Sequence, residues 1–180
     1  MVYTASGNPA DQAYLKRRDA GGGRSLDLWF HGRKAPADYN RGVVAVYPLA
    51  GNFRGEEGTL EFWLKLAVEK PQAVMNILYF DLGPDAGLKM DWVSDDVTWS
   101  ERGFTTKLYL RGRVNDEMTS AKIRWRGADF HHMALTWKRA EAGRTALALF
   151  ADGEKVAEKS MALDLATVEL ADKRLFLGGN

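Results

Sequence analysis

Short runs in which apolar and polar residues alternate make up most of the chain, and Gly, Asp, Asn and Pro separate these runs. The clearest run is "TLEFWLKL", residues 59–66, in which Leu60, Phe62, Leu64 and Leu66 alternate with Glu61, Trp63 and Lys65. Because neighbouring side chains of a strand point to opposite faces, this pattern predicts a half-buried strand.

Further strands are predicted at "VMNILYFDLG" (74–83), "KLYLRGRV" (107–114), "KIRWRG" (122–127) and "FHHMALTW" (130–137). In "ALALFADGEKVAE" (146–158), Asp152 and Gly153 separate two such runs, and an Asp-Gly pair favours a two-residue hairpin turn with positive φ. Long amphipathic helices are not evident. The pattern therefore predicts an antiparallel all-β domain.

The first 25 residues are the least regular part of the chain. A short helical piece is expected at residues 10–18, ended by the glycines at positions 21–23. We therefore divide the chain into an N-terminal extension or linker, residues 1–25, and one domain, residues 26–180. A chain of 180 residues is long enough to bury a single core of ordinary size.

The charge balance narrows the range of partners. Lys and Arg total 25 against 24 Asp and Glu, and this net charge of +1 gives no strong field for nucleic acid or an anionic membrane. No apolar stretch reaches the ~18 residues that a membrane-spanning helix needs. The chain has no Cys, which excludes disulfides and thiolate metal sites.

Two adjacent histidines, His131 and His132, suggest a metal site or a catalytic pair. In a regular strand they point to opposite faces, so they cannot readily bind one metal ion. Alternation places His131 with the apolar residues of its strand, as a hydrogen-bonded core histidine. His132 then lies on the polar side, where it could contact a ligand.

Polar sides of several predicted strands carry residues suited to binding a sugar. If these strands share one sheet, its face presents Glu61, Trp63, Lys65, Tyr109, Arg111, His132, Thr136 and Lys138. Trp and Tyr offer flat apolar platforms for sugar rings, while charged and hydroxyl groups orient the ring hydroxyls. The alternative is a solvated sheet face with aromatic cross-strand pairs.

Aspartates in two segments offer oxygen ligands for calcium. Asp81 and Asp85 lie in "FDLGPD", and Asp91, Asp95 and Asp96 lie in "DWVSDD", although no EF-hand spacing is present. Such aspartates also make turns and cap loops, so a calcium site and a purely structural role both stay open.

Four segments in order resemble the concanavalin A-like lectin/glucanase superfamily, in particular its laminin G-like, or pentraxin-like, domains. The segments are "GTLEFWLKL", "FHHMALTWK", "LALFADGEKVAE" and "LFLGGN". They are similar to the family's Trp-containing strand, its Trp-His-His-Val-Ala strand, its Tyr-Val-Asp-Gly-Lys hairpin and its late Ile-Gly-Gly strand. Phe130 stands where the family usually has Trp, and the strand that normally follows Gly-Gly is not seen before Asn180.

The resemblance implies a jelly-roll sandwich of two antiparallel sheets, in a secreted or cell-surface protein, which binds carbohydrate or protein, often with calcium. A neighbouring domain or subunit, or the N-terminal extension, would complete a sheet that lacks its final strand.

We expect a non-catalytic binding module. Laminarinase-type hydrolases of the superfamily carry Glu-x-Asp-x-x-Glu, and this chain contains no Glu-x-Asp. Polysaccharide lyases on a similar jelly roll use Tyr, His, Arg and Gln, so a lyase based on Tyr109, Arg111 and His132 is the alternative. A structural packing or oligomerisation module without a ligand is a third interpretation.

Overall fold

A computed structural model describes residues 2–4, 17–20, 23–26, 43–64, 74–83, 86–94, 104–112, 116–121, 123–125, 129–141 and 143–177. Over these residues the protein is all-β, and its strands pair antiparallel throughout. The only helical element among them is a 3₁₀ turn, Leu165–Thr167, capped by the side chain of Asp164. None of the described helical structure is long and apolar enough to cross a membrane.

The strands, in chain order, are β1 Val2–Thr4, β2 Arg17–Ala20, β3 Gly23–Leu26, β4 Val43–Pro48, β5 Glu57–Leu64, β6 Val74–Asp81, β7 Gly87–Ser94, β8 Phe104–Gly112, β9 Glu117–Thr119, β10 Ile123–Trp125, β11 His131–Arg139, β12 Thr145–Ala151, β13 Glu154–Met161 and β14 Arg174–Leu177. The large sheet has the order β1-β4-β14-β6-β7-β8-β10, and β9 also pairs with β8. The small sheet has the order β13-β12-β11-β5, and β2 pairs with β3 in a two-stranded sheet.

The core lies between the two larger sheets. Leu78, Phe80 and Met90 of the large sheet and Met133, Leu135 and Leu149 of the small sheet belong to one cluster of buried side chains. Burial alternates along β12. Every second residue, beginning with Thr145, is buried, and the residues between them are more exposed. The protein is thus a two-sheet antiparallel β-sandwich, consistent with a jelly roll.

Trp137 anchors one end of this core. Its indole ring stacks on Phe53 with 4.7 Å between ring centroids, and its Nε1 donates to the carbonyl oxygen of Arg54 over 2.7 Å. The cross-strand partner of Trp137 is Gly58. A Cβ at Gly58 would lie 2.3 Å from Cζ2 of Trp137. The indole ring fits against β5 because the residue at position 58 has no side chain.

Asp116 joins the edges of the two sheets. Its carboxylate binds the Lys159 ammonium of β13 over 2.5 Å and accepts from the backbone N–H of Ala162 over 2.7 Å. The hydrogen bond from Lys159, followed by that from Ala162, lowers the pKa of Asp116 below its usual value. Since Asp116 lies just before β9, this contact holds the beginning of β9 beside β13.

The predicted strands and the predicted hairpin are confirmed. Asp152 and Gly153 connect β12 to β13 with φ of 51° and 84°, as a two-residue turn with two positive φ values requires. In the N-terminal region, β1 pairs with β4 at the edge of the large sheet. Arg17 and Arg18 lie in β2 rather than in a helix, and residues 10–16 of the predicted helical piece lie outside the described residues.

Candidate functional site

The outer face of the small sheet, the side turned away from the core, is open and carries several predicted site residues. Strand register orders its side chains in four rows across the sheet. The rows are Trp63 and His132; Glu61, Ala134, Phe150 and Lys155; Thr59, Thr136, Ala148 and Glu158; and Glu57, Lys138, Ala146 and Ser160.

Trp63 is the most exposed large apolar side chain of the described residues, with 66% of its surface accessible. Its cross-strand partner is His132, and the two rings are tilted by 54° with 5.2 Å between centroids. On the other side of His132, Nε2 lies 3.5 Å from Oε2 of Glu61. The result is an exposed aromatic surface bordered by an imidazole and a carboxylate, groups that can donate and accept hydrogen bonds.

Asp152, in the hairpin turn, holds the beginning of β11 in place. One carboxylate oxygen lies 2.8 Å from Nδ1 of His131, and the other accepts the backbone N–H of His132 over 2.9 Å. Partial burial raises the pKa of Asp152, but the hydrogen bonds from His131 and His132, together with the charge interactions of both histidines, outweigh burial and leave the pKa below its usual value. The anchored backbone fixes the position of the His132 ring beside Trp63.

The rows farther from Trp63 form an open groove of about 670 Å³. Small side chains, among them Thr136, Ala146 and Ala148, make its floor, and Glu57, Lys138 and Glu158 also line it. Lys155 forms an ion pair with Glu158 at its border. The groove therefore combines a shallow, weakly polar floor with charged side chains around it.

The predicted site residues do not all share one face. Glu61, Trp63, His132, Thr136 and Lys138 lie together in the small sheet, as the alternation predicts. Tyr109 and Arg111 belong to β8 of the large sheet, where their backbone positions pair with Asp91 and Lys89. The prediction that all these residues share a single face is therefore wrong, because β8 pairs with β7 and not with the strands that carry Trp63 and His132. Lys65 lies outside the described residues.

This division also separates the residues of the alternative lyase interpretation. His132 is in the small sheet, whereas Tyr109 and Arg111 are in the large sheet. The prediction that His131 is hydrogen-bonded is confirmed, since Asp152 binds its ring, but the side chain is not fully buried, with 13% of its surface accessible.

The calcium prediction stays a prediction. Of its residues, Asp81 and Asp91 are described. Oδ1 of Asp81 accepts the backbone N–H of Gly83 over 3.3 Å, which is a turn interaction, and Oδ1 of the buried Asp91 lies 3.1 Å from Nζ of Lys89. Asp85, Asp95 and Asp96 lie outside the described residues. Within the described part of the chain, no group of three or more His, Asp or Glu side chains is arranged to hold a metal ion.

The groove was missed at the sequence level. In "ALALFA", the larger Leu147 and Leu149 point to the core while Ala146 and Ala148 point outward. All these residues are apolar, so polarity alone does not distinguish the two faces. The size alternation within the run was the available signal, since large side chains fill the core and small ones leave space outside.

No family model matches the chain, and no curated protein matches it. Among solved structures, the chain is similar to the endo-β-1,4-glucuronan lyase from the fungus Trichoderma reesei, with 15% sequence identity and a TM-score of 0.43. The match covers 76% of this chain and 61% of the lyase. The chain thus matches less than two thirds of that enzyme's length, and likeness at this level does not define an activity.

Proposed function

We propose that the protein is a non-catalytic glycan-binding module and that the outer face of the small sheet is its binding surface. The observation that carries this proposal is the exposure of Trp63 beside His132 and Glu61, on a face that continues into a groove. We further propose that the module belongs to a secreted or cell-surface protein related to the laminin G-like domains.

The chemistry of this face suits a sugar ring. A pyranose has apolar C–H faces and hydroxyls around its edge, so it needs a flat apolar surface with hydrogen-bonding groups beside it. The Trp63 indole provides the flat surface, and Glu61 and His132 provide an acceptor and a titratable ring at its border. A protein loop could also bind an exposed tryptophan, but the short side chains of the groove floor supply few large apolar anchors for a protein interface.

Two observations favour binding without cleavage. The chain has no Glu-x-Asp, so the hydrolase motif is absent. The Tyr, Arg and His residues expected of a lyase are divided between two sheets. A catalytic acid and base must both reach the scissile region of one bound substrate, which this division does not favour.

The test is a glycan array, followed by titration calorimetry with the strongest ligand on the intact protein and on Trp63→Ala. We expect roughly a 30-fold loss of affinity in the variant, about 2 kcal/mol, as for a central aromatic contact. Trp63 is largely exposed, so the variant should fold. Tyr47→Ala is the matched control, because it removes another exposed aromatic, 40% accessible, from the large sheet.

Three outcomes would contradict the proposal. Unchanged binding by a correctly folded Trp63→Ala variant would move the ligand elsewhere. Rising ultraviolet absorbance with a polyuronate substrate would indicate lyase cleavage. Absence of binding to any glycan would leave the structural module as the better interpretation.

A further inference from the structure

We infer that glycan binding at Trp63 is linked to the protonation of His132: the ligand binds the face with a neutral His132 ring, and protonation of that ring weakens binding. This inference rests on the proposed function and adds the regulation of the same site by pH.

His132 is a titratable ring placed between the groups that the proposed function assigns to the ligand. Its ring centroid lies 5.2 Å from that of Trp63, and its Nε2 lies 3.5 Å from Oε2 of Glu61. The His132 side chain is 28% accessible and that of Glu61 is 62% accessible, so both are open to solvent and to a ligand. A change of charge on His132 therefore occurs in contact with the aromatic surface and beside its hydrogen-bond acceptor.

The other charged groups around His132 do not neutralise a proton on its ring by repulsion. On the hairpin side, Asp152 accepts the backbone N–H of His132 over 2.9 Å and donates its own backbone N–H to the His132 carbonyl over 2.8 Å. The neighbouring His131 binds the second oxygen of the same carboxylate over 2.8 Å. Lys155, on β13, forms an ion pair with Glu158. Among the described residues, the charged side chains that contact His132 are thus carboxylates.

The sign of the linkage follows from what a bound sugar must displace. A protonated His132 attracts the Glu61 carboxylate as an ion pair and the Trp63 ring as a cation–π contact. A sugar stacked on Trp63, with a hydroxyl donating to Glu61, competes with both contacts and covers the charged ring from water, which costs free energy. A neutral ring carries no such cost and still offers one donor and one acceptor.

Binding should therefore release a proton in the range in which histidine titrates, between about pH 5 and 8. A ligand that binds only the neutral form loses up to about tenfold in affinity for each pH unit below the titration. Carboxylates titrate at lower pH, so measurements at pH 5.5 and above separate the histidines from Glu61 and Asp152.

The experiment is titration calorimetry at pH 7.5, 6.5 and 5.5, each in two buffers of different ionisation enthalpy. The probe is the array glycan of highest affinity at pH 7.5 that has no group titrating in this range. We expect affinity to fall about fivefold or more between pH 7.5 and pH 5.5. The buffer pair should show net proton release on binding near pH 6.5, and circular dichroism at each pH checks that the protein stays folded.

His132→Gln keeps a side chain that donates and accepts but cannot titrate, so its affinity should change less than about twofold over the same pH range. The matched controls are His131→Gln and His31→Gln, which remove the other two histidines of the chain one at a time. Each control should keep the fall in affinity, and the amide in His131→Gln can still donate to Asp152. Glu61→Gln removes the ion pair and should make the fall smaller.

Equal affinity at pH 7.5 and 5.5, tighter binding at pH 5.5, or an unchanged fall in His132→Gln would each overturn this inference. Loss of the fall in His131→Gln, with retention in His132→Gln, would assign the proton to the wrong ring and overturn it as well. In all these cases, weaker binding by Trp63→Ala at pH 7.5 leaves the proposed function standing. Absence of binding to any glycan at pH 7.5 would overturn the proposed function and this inference together.

Discussion

Replacing Gly58 with Ala should destabilise the protein in a way that depends on one partner, Trp137. A Cβ at position 58 would lie 2.3, 2.7 and 3.0 Å from Cζ2, Cε2 and Cη2 of the indole. All three atoms belong to its six-membered ring. The neighbouring core is closely packed, and the indole is also held by its hydrogen bond to the Arg54 carbonyl. We expect Gly58→Ala to cost about 1–3 kcal/mol of unfolding free energy.

The effect of Gly58→Ala on the unfolding free energy should change sign when position 137 carries Phe instead of Trp. Trp137→Phe removes the ring that Cβ would meet, together with the hydrogen bond to Arg54, and should itself cost about 2 kcal/mol. In that background the added methyl group fills space, and Ala is better than Gly within a strand by roughly 0.5–1 kcal/mol. The two substitutions should therefore couple by about 2 kcal/mol or more.

Guanidinium denaturation followed by circular dichroism on the four proteins of this cycle measures the coupling. Gly51→Ala is the control: Gly51 has φ of 77° with no atom within 4 Å of the added Cβ, so its cost comes from backbone strain. That cost should be the same with Trp137 or Phe at position 137. Equal costs of Gly58→Ala in both backgrounds would refute the packing account.

Two further predictions concern charge and ions. Asp152→Asn should destabilise the protein at neutral pH, because the Asp152 carboxylate stabilises the folded state at pH values above its ordinary pKa of 3.8. The difference in unfolding free energy between variant and wild type should shrink as pH falls below 3.8 and through the lowered folded-state pKa, where this stabilisation is lost. Denaturation curves between pH 2.5 and 7 measure this, and a gap that widens in acid would count against the Asp152 anchor. If Asp81 and Asp85, with Asp95 and Asp96, bind calcium, excess calcium should raise the melting temperature above that in chelator; coincident melts would exclude a structural ion.

Much of the fold follows from local patterns in the sequence. The alternation in residues 59–66 identifies both faces of β5, and Asp152 with Gly153 identifies a turn because few residues tolerate two consecutive positive φ values. These features depend on neighbours in sequence, so the sequence is sufficient to predict them.

Sheet membership could not be predicted in the same way. Tyr109 and Trp63 lie in equally alternating runs, but β8 joins the large sheet and β5 the small one. Alternation reports which side of a strand faces a core, and it says nothing about which strand lies beside it. The same limit applies to the groove, since its floor forms only when Ala148 and Thr136 meet across two strands.

The central claim is that a glycan occupies the face that carries Trp63. Its most direct test is an NMR titration of the ¹⁵N-labelled protein with the strongest array ligand. The account predicts that the Trp63 indole N–H and the amides of His132, Thr136 and Ala148 shift together with one saturation curve. Shifts confined to the large sheet, for example around Tyr47 and Lys89, with the Trp63 signal unmoved, would contradict it.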